Sequence, residues 1–383
     1  MMQGGIIRAF FAFLVSTCLS TSLGALRDAG YKQFDCPGAM EPSKMIPLSA
    51  HAVRPADIKV IAGIGDSLTA GNGAGATSFI DVIKQYRGLA FTIGGDKGLE
   101  NHVTIPNILL KFNPTLIGQS HGVGRVDEAN KTQLNVAFPG AKSKDLPREA
   151  QELVRKIITH RRINALTDWK LITIFIGAND ICFMCQESKK KSLSIQNYEK
   201  NLRQAIQILH AGLTRVIVNI VGMFQMQILR IIHNKEHKCK GYHEMICDCA
   251  VVKSFDMGAA CRSYQKAEMD LQTEALFEDR EDFTVVLQPY LFDTDAPPLT
   301  SEGKVDLSFF AEDCLHFSQY GHSVAAKGLW NNMMQPVDSK STSMNLTNAA
   351  AIPLMCPDSS CPFIRTKKNS EDCEHYMKDS VMS

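Results

Sequence analysis

Five short runs of this sequence are almost continuously apolar and rich in β-branched residues: Ile58 to Ile64, Gln133 to Phe138, Leu171 to Ile176, Arg215 to Val221 and Phe283 to Leu287. A strand with one wet face alternates polar and apolar residues. A strand without that alternation is covered on both faces, as in a parallel sheet held between helices. The intervening segments supply suitable helices. Tyr198, Leu202, Ala205 and Leu209 fall on one helical face, as do Tyr264, Ala267, Leu271 and Ala275. The repeated strand–helix–strand order predicts a three-layer α/β/α sandwich with right-handed crossovers. In such a sheet reactive residues gather on loops leaving the carboxyl ends of the strands, which gives every motif a positional test.

The 383 residues are 45% hydrophobic and 21% charged, which excludes disordered, collagen-like and coiled-coil architectures. The net charge of +1 shows no basic excess of the kind that binds nucleic acid. Twelve cysteines are many for a cytosolic enzyme. The N-terminus offers a reason: Arg8, the apolar run Ala9 to Val15 and the small-residue stretch Ser16 to Ala25 have the order of a secretory signal peptide. A buried N-terminal helix is the alternative. The apolar core is short for a bilayer span, and no other run reaches the roughly 18 apolar residues a span needs. Cleavage near Gly24–Ala25 would remove Arg8 and Cys18, leaving zero net charge and eleven cysteines.

The expected organisation is therefore a leader over 1–24, one domain over 25–370, and a polar tail over 371–383. The domain carries a cysteine-bearing insertion at about 222–262. From Val337 onward the chain is expected to wrap the surface and then fray. Asn130-Lys131-Thr132 and Asn345-Leu346-Thr347 are glycosylation sequons suited to a secreted chain, whereas proline excludes Asn113-Pro114-Thr115.

Four motifs can carry chemistry. Gly65-Asp66-Ser67-Leu68 follows the first run, so Ser67 sits on a turn at a strand's carboxyl end, where a nucleophile can meet substrate. The second run leads into Pro139-Gly140, and a glycine can bring its N–H close to a substrate oxygen. The third ends in Gly177-Ala178-Asn179-Asp180, where the Asn179 amide is a further donor. Each taken alone reads better as an ordinary turn or helix cap. Near the C-terminal end, Asp313-Cys314-Leu315-His316 lets one tight turn present a carboxylate and an imidazole. Asp313 can then fix the tautomer of His316, which takes the proton from Ser67. A surface ion pair or part of a metal site would have the same spacing.

The order and placement of all four are similar to those of the SGNH (GDSL-type) hydrolases, and within them of the phospholipase B family. The resemblance is carried by Gly65 to Gly75, Asn135 to Ala141, Gly177 to Asp180 and Asp313 to Ser318, and runs from about residue 35 to 370. It implies a flavodoxin-like sandwich with a five-stranded parallel sheet. It implies Ser67 as nucleophile, His316 as general base and acid, and Asp313 as its orienting partner. The oxyanion hole would comprise the backbone N–H groups of Ser67 and Gly140 and the Asn179 side chain. It further implies removal of fatty acyl chains from phospholipids and lysophospholipids, with no cofactor and without calcium. Membrane-bound animal members carry tandem repeats and a C-terminal anchor. One repeat without an apolar tail leads to the expectation of an unanchored, secreted protein.

Cys182-x-x-Cys185 and Cys247-x-Cys249, with His233, His237 and His243 nearby, have spacings that admit a zinc site, while secretion favours disulfides. An odd number of mature cysteines leaves at least one unpaired within the chain, and Cys314 is either buried and reduced or tied to a neighbour. Phe309, Phe310 and Phe317 can line an acyl groove or pack in the core. Met223, Phe224, Met226 and Ile228 can form another wall or an amphipathic core helix, and the loop Asp293 to Lys304 can gate access. A carbohydrate or short-ester deacetylase on the same fold, and a secreted binding protein without catalysis, are the competing readings.

Overall fold

The computed structural model describes residues 26–382; the expected leader, with Arg8, Cys18 and the cleavage point, lies outside them. In chain order, β1 (Ile58–Gly65) runs into the single turn α1 (Ser67–Ala70), and α2 (Ile105–Phe112) and α3 (Leu146–Thr159) lead to β2 (Trp169–Phe175). Next come α4 (Ala178–Phe183), α5 (Ile195–Gly212) and β3 (Val216–Val221), then α6 (Ile228–Lys235), α7 (His237–Ile246) and α8 (Met257–Gln272) before β4 (Phe283–Gln288). The chain closes with α9 (Gln319–Met334) and α10 (Cys373–Met382).

The strands form a parallel sheet in the order β1-β2-β3-β4. Val216, Val218 and Ile220 of β3 face a core shared with α3, α5 and α8, while Ile217 and Val221 face the core shared with α2 and α9. Burial on both faces is the physical cause of the unalternating runs. The helical spacing matches α5 throughout. In the second set Tyr264, Ala267 and Leu271 lie buried in α8, whereas Ala275 falls beyond it in a separate 3-10 turn.

Among the described residues the sheet has four strands rather than five. Gln133 to Phe138 runs beside β1 and exchanges hydrogen bonds with it, Val136 N donating to Gly63 O at 3.0 Å, but it does not become a regular strand. Its geometry is set by side chains. Gln133 has φ +49°, the Asn135 amide donates to Thr69 O, and the buried Arg87 guanidinium takes the carbonyls of Asn135 (3.3 Å) and Ala137 (2.9 Å). A cation occupies the edge that another strand would have paired.

Cross-links hold the rest. Cys36–Cys356 joins the lead-in to the C-terminal region, and Cys361–Cys373 fastens α10. The chain beyond 370, expected to fray, is instead helical, with Tyr376 buried against His51. Among the described residues no helix is long and apolar enough to cross a membrane.

Candidate active site

Ser67, Asn179 and the loop with His316 all follow the carboxyl ends of strands, where an open α/β sheet collects reactive groups. The first turn depends on Gly65. Its φ is +152°, and a Cβ there would stand 2.2 Å from Phe175 O and 2.7 Å from Thr69 Oγ1. Only glycine lets β1 end so close to β2. Asp66 caps α1 by accepting from Leu68 N at 2.9 Å, which leaves Ser67 at the first helical position, where a backbone N–H has no helical acceptor.

Across the cleft, Ser67 Oγ lies 2.7 Å from His316 Nε2, and His316 Nδ1 lies 2.5 Å from Asp313 Oδ2. The other Asp313 oxygen accepts from the amides of Leu315 (3.1 Å) and His316 (3.0 Å), so the carboxylate folds its own turn around the imidazole. Burial alone would raise Asp313, but the His316 charge and these bonds outweigh it and hold the carboxyl below its usual range. Burial likewise disfavours charged His316, yet Asp313, helped by Asp66, lifts it above the ordinary histidine value.

The other expected donors come from the Gly140 loop and the first turn of α4. Gly140 has φ +79° with nothing within 4 Å of a would-be Cβ, so glycine is needed there for backbone conformation and not for space. Asn179 Nδ2 donates to Ala141 O at 3.0 Å, which holds the amide beside Gly140; its contact with Asp66 Oδ2 is a longer 3.4 Å. Ser67, Gly140, Asn179 and His316 line one cleft of about 290 Å³, with Asp313 behind His316. An ester carbonyl entering it meets a hydroxyl paired with an imidazole and a set of N–H donors. That arrangement suits acyl transfer.

Several supporting contacts have no local sequence signal. Glu149 on α3 accepts from Gly65 N at 2.8 Å, and Asp180 takes both the amide (2.9 Å) and the hydroxyl (2.7 Å) of Ser143, joining α4 to the Gly140 loop. Burial pushes Asp66 up to about 7 and Asp180 to about 6, and holds Glu149 well above the usual carboxyl range.

Of the two readings of these side chains, groove or core, the structure takes the core. Phe309, Phe310 and Phe317 are buried in the core, as are Met223, Met226 and Ile228, and Phe224 packs between Phe175 and Phe317. The Asp293–Lys304 segment buries Pro297 and Pro298 and is closed by a Leu299–Val305 bridge; it does not reach the cleft. The apolar walls are instead Leu68, Phe183, Ile246 and Leu315. Disulfides bring two of these into place. Cys182–Cys247 and Cys185–Cys249 clamp the insertion to α4, carrying Ile246 to the cleft, and Cys239–Cys314 ties α7 to the Asp313–His316 turn beside Leu315. The thiols considered for zinc are thus consumed as disulfides, and Cys261 is the free, buried cysteine among the described residues.

The family model described as GDSL-like Lipase/Acylhydrolase matches residues 61–329. The chain belongs to the GDSL-like lipase/acylhydrolase family. Within it, the chain is 42% identical over 339 residues to "Phospholipase B1, membrane-associated" of Mus musculus, covering 86% of this chain and 22% of that protein. The Homo sapiens protein of the same name is 42% identical over 346 residues, covering 88% of this chain and 23% of its own length. The chain thus spans under a quarter of the length of these relatives. As a member of that family, the chain is similar to phospholipase B over most of its own length.

Proposed function

We propose that the protein is a secreted phospholipase B or lysophospholipase, releasing fatty acids from (lyso)phospholipids through an acyl-serine intermediate. The observation that carries the mechanism is the continuous chain from Ser67 Oγ through His316 to Asp313, at 2.7 and 2.5 Å, beside Gly140 and Asn179. His316 Nε2 accepts the Ser67 proton as Oγ adds to the ester carbon. The resulting oxyanion is received by the Ser67 and Gly140 N–H groups and the Asn179 amide. His316 then returns the proton to the leaving oxygen, and the same base activates water to cleave the acyl-serine. Asp313 holds the imidazole tautomer that permits both transfers.

The substrate class rests on likeness to phospholipase B1 and on the apolar walls Leu68, Phe183, Ile246 and Leu315. Secretion is supported by five disulfides, which persist in oxidising compartments, and by the leader pattern over 1–24. Asn130 and Asn345 are both exposed, as glycan attachment requires.

A phospholipid labelled differently on its two acyl chains tests the reading. Release of both labels is expected for a phospholipase B, and release only from lysophospholipid for a lysophospholipase. Hydrolysis of acetyl esters with no action on either lipid would replace the proposal with a deacetylase. A fluorophosphonate probe should label the folded chain and fail on Ser67→Ala; undiminished labelling of that variant would remove Ser67 as nucleophile.

A further inference from the structure

The mouth of the cleft is rimmed by apolar side chains that the fold leaves uncovered. Ile80 and Ile83, on the 3-10 turn Phe79–Ile83, are 77% and 76% exposed, and Met245 of α7 is 60% exposed. Val123 and Val126 are 46% and 44% exposed. These residues form one surface. Phe79 stacks on Tyr242 with ring centroids 4.3 Å apart, joining the turn to α7, whose last residue, Ile246, is a wall of the cleft. On the other side Ile83, Val123 and Val126 line a shallow groove with Phe138 and Pro139, and Pro139 is also a wall of the cleft. Single exposed apolar residues are ordinary, but a continuous set around an active-site mouth marks an interaction surface.

The charged residues of this groove are Lys84, paired with Asp81 at 2.6 Å, Arg125, paired with Asp127 at 3.5 Å, and the acidic Glu128, so the groove carries no basic excess. An apolar groove without a basic excess has little hold on a polyanion or an acidic peptide. It matches the boundary between head groups and hydrocarbon in a zwitterionic lipid aggregate. Building on the (lyso)phospholipid reading above, we propose that this rim seats the enzyme on the surface of a lipid aggregate. Ile80, Ile83, Val123, Val126 and Met245 enter the apolar layer, and the cleft opens at the depth of the ester bonds. The seating is apolar and therefore insensitive to salt.

Sedimentation of the full chain with vesicles of a diether phosphatidylcholine, which offers no ester to cleave, reads seating alone. The wild type should bind equally at low and high salt. Ile80→Ser/Ile83→Ser should bind about tenfold or more weakly, since each large aliphatic side chain withdrawn from water is worth roughly that factor. Met245→Ser, across the mouth, should weaken binding too. Both variants should keep kcat/KM on a water-soluble short-chain ester within about twofold, because none of the three side chains reaches the reacting atoms. Leu166→Ser removes a 71% exposed side chain before β2, at the opposite end of the strands, and should bind like wild type. Wild type that ignores the vesicles, or a rim double variant that binds like wild type, overturns the proposal. Binding that depends on the rim, with no fatty acid released from ester-linked phosphatidylcholine or lysophosphatidylcholine, leaves the seating intact and counts against the proposed substrate instead.

Discussion

The charge balance at His316 sets an activity profile. Burial opposes protonation, but Asp313 at 2.5 Å and the nearby Asp66 more than compensate, so the imidazole titrates above its usual 6.5. A general base works only when neutral, so kcat/KM on a soluble ester should fall about tenfold per pH unit on the acid side of a midpoint above 6.5. Asp313→Asn removes the raising charge, so the midpoint should move down while kcat drops, by roughly 10⁴ in the best-studied triads. A profile flat from neutral pH to about 4 would take His316 out of the base role. Two glycines make a second test. Gly140→Ala meets no neighbour and suffers only the left-handed φ of +79°, a strain of roughly 1–2 kcal/mol. It should fold, yet lose about 10²–10³ in kcat as the peptide turns its N–H away. Gly65→Ala drives a Cβ to 2.2 Å from Phe175 O and should fail to fold stably. Melting curves and steady-state kinetics on the pair separate the two roles; full activity in Gly140→Ala would mean that its amide binds no oxyanion. The candidate reacting groups are legible because Ser67 and Asn179 follow strands and Asp313 and His316 share a four-residue turn. Their supports are not: Glu149 reaches Gly65 across 84 residues and Ser143 reaches Asp180 across 37, and nothing local announces either bond.

At the scale of elements, continuous apolar runs identified the four strands because two-sided burial leaves a mark on composition. The same mark misled at Gln133 to Phe138, which is buried like a strand while Arg87, 46 residues upstream of the run, binds its carbonyls. Burial is legible in sequence; what satisfies the backbone is not. The apolar walls of the cleft were missed for a related reason. Phenylalanines near the catalytic pair turned inward, and Ile246 reaches the cleft because Cys247 is bonded to Cys182. The insertion therefore helps shape the candidate cleft. Cys239–Cys314 and the His243 Nε2 contact with Cys314 O at 3.1 Å restrain the turn that presents His316, in which Cys314 itself has φ +59°. Cys239→Ala/Cys314→Ala should lower stability by about 2–4 kcal/mol. It should also reduce kcat on a soluble ester more than it alters KM, since the loosened turn affects proton transfer more than ester binding. An unchanged kcat in a destabilised variant would show that the remaining bonds position His316 unaided.

For the whole molecule, the cysteine complement is the quantity that joins sequence, fold and compartment. Parity alone required an unpaired thiol if the leader is removed, but pairing depends on which residues the sheet brings together, and the 320-residue separation of Cys36 and Cys356 lies beyond any local rule. Ten of the twelve cysteines are paired, Cys261 is free, and Cys18 belongs to the expected leader. Burial on the inner face of α8 pushes the Cys261 thiol up to about 12, so in the folded protein it is both inaccessible and un-ionised, and should be inert to thiol reagents at pH 8. Unfolding in denaturant without reductant should then expose one reactive thiol per secreted chain, identified as Cys261 by peptide mapping. A second reactive thiol mapping to Cys18 would mean that the leader is retained and would remove the main support for secretion. A second thiol at any other position would break the five-disulfide pattern, and with it the clamps that hold Ile246 and His316 at the cleft.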